Sequence, residues 1–184
     1  MFPFFRRRSG ERRRIRRRTI QIAESGWESI VGGMVVGVYC KETEEFRHDI
    51  IPVEEFQDRV QADRYLNLIT ESVDKLFHEM GVSSDDRIEL DSSYVFRGVE
   101  RWLREHEYKW ESAKPSPRLR KLTDDAFIEH LISLGVPPKL RFKEAKSSQF
   151  MFLLKWVQED FRRRQSICKT GLDSWNKLLN SYED

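Results

Sequence analysis

Between residues 54 and 80, apolar side chains return at three- and four-residue steps: Phe56, Val60, Tyr65, Leu68, Ile69, Val73, Leu76, Phe77 and Met80. That spacing lays one apolar stripe along a helix. Gly81 stands where a helix C-terminal glycine belongs. Upstream the period is two. TIQIA (19–23) alternates and is rich in β-branched residues, IVGGMVVGVYC (30–40) is a glycine-bearing apolar run, and FRHDIIPV (46–53) ends at Pro52. Short polar turns separate them, which predicts three strands in an antiparallel meander.

Downstream, strands and helices alternate. RIEL (87–90) predicts a fourth strand, and SSYVFRGVERWLREHE a second helix with Val95, Val99, Trp102 and Leu103 on one face. After the proline-broken loop 114–117, LRKLTDDAFIEHLISLG predicts a third helix ending at Gly135. KLRFKEA (139–145) predicts a fifth strand. SSQFMFLLKWVQEDFRRR predicts a fourth helix capped by Ser147 or Ser148. The order is βββαβααβα, which predicts an α/β mixed sheet of five strands with helices on both faces. The expected organisation is a mobile arm over 1–18, one domain over 19–164, and an extension over 165–184 with a short helix around LDSWNKLLN.

Composition changes this picture at one place. The chain of 184 residues is long enough for one sizeable core. Its net charge of +2 conceals nine arginines and one glutamate within residues 1–18, a balance of +8 that leaves −6 for the rest. Arg12, Arg13, Arg14, Arg16, Arg17 and Arg18 are the densest part. So much like charge suits a segment that follows phosphates. A solvated tail and the anionic face of a membrane are the other readings of such a run.

Other chemistries find little support. The two cysteines, Cys40 and Cys168, are far apart and form no CxxC, which points to a reducing compartment and a cytoplasmic location. No apolar run approaches the roughly 20 residues of a membrane span. The apolar start precedes the arginines, the reverse of a signal peptide. The four histidines show no metal-ligand spacing, and there is no GxxxxGK[ST] phosphate loop.

The fourth strand and second helix meet at Asp91-Ser92-Ser93-Tyr94-Val95-Phe96-Arg97-Gly98-Val99-Glu100-Arg101-Trp102-Leu103. In spacing and residue type this resembles the strand-to-helix junction of type 1 ribonuclease H, and the element order resembles the ribonuclease H fold. The resemblance implies a crevice at the strand tips where carboxylates hold two Mg²⁺ or Mn²⁺ ions against a phosphodiester. Asp91 then stands as a metal ligand, and a helix cap is the competing role for the same residue. The family's first-strand aspartate corresponds here to Glu24, one methylene longer. Asp63, in the first long helix, is the nearest candidate for the third carboxylate. The start of the last helix has no acid where the family has one. The resemblance also implies nucleic acid as partner, with RNA or an RNA/DNA hybrid favoured. Trp102 would lie on the substrate side, and Lys114, Arg118, Arg120 and Lys121 would form a basic handle. An inactive scaffold of the same fold that binds another protein is the rival reading.

Overall fold

A computed structural model describes residues 17–57, 62–142, 145–171 and Trp175, with the side chains of Ala62, Asp63 and Phe142 left aside. Arg12, Arg13, Arg14 and Arg16 of the arm therefore lie outside the described residues, as do Asp58, Glu144 and most of the helix expected over 172–180.

Three strands follow one another: β1 (Thr19–Ser25), β2 (Met34–Cys40) and β3 (Phe46–Ile51). Helix α1 (Ala62–Glu79), β4 (Arg87–Leu90), α2 (Arg97–Glu105) and β5 (Lys109–Ser112) come next, then α3 (Pro117–Ser133), α4 (Lys146–Glu159) and the short α5 (Phe161–Arg164). The sheet order is β3-β2-β1-β4-β5. β2 runs antiparallel to both neighbours, whereas β4 pairs in parallel with β1 and β5. β2 is buried along its whole length, as its nearly unbroken apolar run requires of a strand covered on both faces.

Alternation sorts the side chains. Ile20, Ile22, Val36, Val38, Ile88 and Leu90 face α1 and α2, where Ile69, Val73, Phe77, Val99 and Leu103 complete the main core. Ala23 and Tyr39 face the other way, onto Leu119 of α3. A second cluster joins Val31 and Val35 to Phe127 and Leu131 of α3 and to Leu153 and Val157 of α4. α3 lies close on the sheet because Gly37 has no side chain; a β-carbon there would meet the Thr123 hydroxyl at 2.6 Å.

The fifth strand is not where the apolar alternation puts it. Residues Pro138–Phe142 form a 3₁₀ turn that drops Leu140 into the second cluster. The true fifth strand is KWES, three of whose four residues are exposed. An edge strand this short is specified by its backbone pairing to β4, not by a hydrophobic pattern. The observed order is thus β1β2β3α1β4α2β5α3α4α5, with the expected five-stranded mixed sheet and helices on both faces. The expected helix over 54–80 also divides, into a 3₁₀ turn at Val53–Phe56 and α1 from Ala62.

Residues 165–171 form a strap across the body. Gly32 N–H donates to the Ile167 carbonyl at 2.9 Å, Lys169 N–H to Ile30 at 3.0 Å, and Gly171 N–H to Phe56 at 2.9 Å. Cys168 bridges Val31 and is fully buried.

Candidate functional site

The parallel pairing of β1 and β4 brings their C-terminal tips together. Ile22 lies beside Leu90, and the next amide, Asp91 N–H, donates to the Ile22 carbonyl at 3.2 Å. Glu24 sits two residues beyond Ile22 on the same strand and is half-buried. Its Oε2 accepts the Trp27 N–H at 3.2 Å, which curls the chain after β1 into a turn. Burial pushes the Glu24 carboxyl upward. The Trp27 N–H and the charges of Lys146 and Lys169 pull it down, and the Asp91 charge pushes it up again. Asp91, one residue beyond Leu90, adds this small charge effect but does not line the cleft beside Glu24. Asp91 caps no helix: the turn after β4 begins beyond Ser93, α2 begins beyond Phe96, and neither start has a side-chain cap.

Beside Glu24 opens a cleft of about 510 Å³ between the β1 tip, α3 and the start of α4. Trp27, Ser93 and Tyr94 line one side; Asp124, Phe127, Lys146 and Gln149 line the other. Trp27 is wedged among rings, 4.8 Å from Tyr65 and 6.2 Å from Phe56 between centroids. Tyr94 meets it edge-on at 5.6 Å and is 49% exposed. Asp124 is held by the Ser25 hydroxyl at 2.6 Å.

A residue with no signal in the sequence adds a second lysine charge near Glu24. Lys169 of the strap is 1% exposed. Its Nζ donates to the carbonyls of Gly26 at 2.5 Å and Trp27 at 3.3 Å and lies 4.6 Å from the Phe56 ring centroid. Burial pulls its pKa down to about 7 against the opposing charge of Glu24. Within ICKTG, a buried lysine reads the same as a solvated one. Asp124 was equally invisible among the acids of α3.

The remaining candidates fall elsewhere. Asp63 stands in the first turn of α1, with its side chain outside the described residues. Arg18 is committed to the body: its guanidinium meets Asp86 at 2.7 Å and the carbonyls of Met80 and Gly81. Arg17 donates to the Asp85 carbonyl at 3.1 Å. Trp102 stacks on Tyr108 and abuts Phe77, at the end of the sheet where β5 begins. That is the end opposite the Glu24 tip. Lys114, Arg118, Arg120 and Lys121 are exposed, but none lines the cleft, and Lys121 pairs with Asp125 at 2.7 Å.

A two-metal centre needs several carboxylates around two ions roughly 3.5–4 Å apart. Among the described residues no group of three or more His, Cys, Asp or Glu is placed to hold a metal ion. Glu24 is flanked by two lysine charges, and the start of α4 offers Lys146 and Gln149 where the resemblance implies an acid. Among the described residues, which leave out the Asp63 side chain, this donor set does not fit a pair of divalent cations.

No family model and no curated protein matches the chain. Among solved structures, the catalytic core domain of BIV integrase is similar with a TM-score of 0.39 and 10% identity, over 74% of this chain and 81% of that one. The class of the fold rests instead on strand order and direction. A sheet ordered 3-2-1-4-5, with β2 alone antiparallel and helices on both faces, is a ribonuclease H-like fold.

Proposed function

We propose that this chain binds nucleic acid, with RNA or an RNA/DNA hybrid as the favoured form, and that the cleft beside the β1 tip receives a strand end. The observation that carries the reading is the lining of that cleft: Trp27 and Tyr94 on one wall and Lys146 on the other. Aromatic rings stack on unpaired bases of any sequence, and a lysine meets the phosphate that follows. The arginine-rich arm adds sequence-independent attraction by releasing counterions. The Asp91–Leu103 motif supports kinship with type 1 ribonuclease H, a divergent one in which Glu24 replaces aspartate. Binding without hydrolysis is the activity that the described donor set favours.

The reading is tested with a labelled RNA/DNA hybrid bearing an unpaired RNA end. Trp27→Ala and Lys146→Ala should each weaken binding, Trp27→Ala by roughly 5- to 100-fold for the loss of one stacked base. Removing residues 1–16, which spares Arg17 and Arg18, should flatten the salt dependence while leaving the preference for an unpaired end. Wild-type binding unaffected by either cleft substitution would assign the interaction to the arm alone. Absence of binding at low salt would remove the proposal. Mn²⁺-dependent cutting abolished by Asp91→Asn would instead favour the nuclease reading.

A further inference from the structure

We propose that the ammonium of Lys169 takes the electrostatic place that a divalent cation holds in ribonuclease H-like enzymes, so that Glu24 is balanced from within the chain and the crevice works without metal.

The groups that Lys169 meets favour its protonated form and oppose the burial that pulls its pKa down to about 7. An ammonium has three N–H donors and no acceptor. Here its Nζ faces the Gly26 carbonyl, the Trp27 carbonyl and the π-face of Phe56, and Glu24 supplies the carboxylate charge that acts on it. Lys169 and Glu24 grip the same turn from two sides. The lysine holds the carbonyls of Gly26 and Trp27, while the Glu24 carboxylate holds the Trp27 amide. The turn, the acid and the ammonium thus form one unit.

The strap keeps that ammonium in place. Lys169 N–H donates to the Ile30 carbonyl, and the preceding Cys168 is bridged to Val31. The backbone is pinned immediately before a side chain that has almost no exposed surface. Below neutral pH, a metal ion arriving at Glu24 would meet this charge and that of Lys146. In partly buried surroundings such repulsion is only weakly screened. Glu24 and Lys169 form no direct ion pair and act on each other across the turn they share, and an isolated buried charge is costly. Loss of Glu24 should therefore be felt at Lys169, and loss of Lys169 should leave Glu24 seeking another cation.

Mn²⁺ broadens the NMR signals of nuclei near which it binds, so the Trp27 indole N–H reports on the site. At mildly acidic pH the wild-type chain should show no Mn²⁺ broadening there that Glu24→Gln removes. Lys169→Met should gain Mn²⁺ affinity at this reporter by at least roughly tenfold, and the gain should vanish in the double variant with Glu24→Gln. Independently, Glu24→Gln should shift the Lys169 side-chain ammonium signal. Glu24-dependent Mn²⁺ binding in the wild-type chain would overturn the proposal. So would a folded Lys169→Met chain with no gain, or a Lys169 signal indifferent to Glu24. Should Lys169→Met fail to fold, the wild-type titration and the Glu24→Gln shift still decide. Nucleic-acid binding does not enter any of these readouts, so the two proposals fail separately.

Discussion

At position 98 a β-carbon would stand 2.7 Å from the Thr70 hydroxyl and 2.8 Å from the Leu66 carbonyl oxygen. Gly98 therefore sets how closely α2 approaches α1, and with it the position of the β4–α2 junction that presents Asp91. Gly98→Ala should cost about 1–3 kcal/mol, the usual penalty of overpacking, in urea unfolding. A second residue-scale test concerns Asp86. Burial alone would raise its carboxyl, but the hydrogen bond and charge of Arg18 and the Ser83 N–H outweigh burial and hold it below the usual range. A carboxyl lowered in the folded state contributes stability above its unfolded pKa, and that contribution is lost as pH falls through the lower folded value. Asp86→Asn should therefore destabilise the chain by about 1–3 kcal/mol at neutral pH. The gap between variant and wild type should close at strongly acidic pH, below the ordinary aspartate value near 3.8. The sequence put Glu24 and Asp91 near the tips of β1 and β4, and those two strands pair in parallel. It could not mark Lys169 or Asp124. Their importance comes from long-range packing that leaves no periodic trace, and each is one of many charges in a chain that is 35% charged.

Among the elements, the strands that carry an apolar pattern were legible and the one that lacks it was not. β1 and β3 fall within two residues of their expected places, and β2 begins at Met34, four residues after the start of its apolar run. β5 was hidden because KWES buries almost nothing, and its cost of formation is met by four paired positions with β4. The decoy KLRFKEA alternates as a strand does, yet two prolines before it and the site of Leu140 in the second core turn its start into a 3₁₀ segment. Propensity yields to tertiary context in both cases. A consequence can be measured at β5. Trp110→Pro removes a backbone donor from a strand paired to β4. Hydrogen exchange should then rise in β4 and β5 well before it does in β1 and β2, if the edge opens as a local unit.

For the molecule as a whole, the end of the described chain belongs to its core. Cys168, Lys169 and Trp175 are all at most 5% exposed, and the strap ties the segment after β1 to the turn after β3. Ending the chain after residue 164 removes these buried groups along with the bonds to Ile30, Gly32 and Phe56. That truncation should abolish the cooperative unfolding transition or lower its midpoint by several kcal/mol equivalent, as loss of one large buried side chain alone costs about 3–5 kcal/mol. Circular dichroism melts of the two lengths would show it. The strap also fixes an order of events. Domains are made from the N-terminus forward at about 5–20 residues per second, and every strand of the sheet leaves the ribosome before residue 166 does. A nascent chain can therefore assemble its sheet while the turn beside Glu24 is still untethered, and the Lys169 clamp on that turn closes only once the strap has emerged.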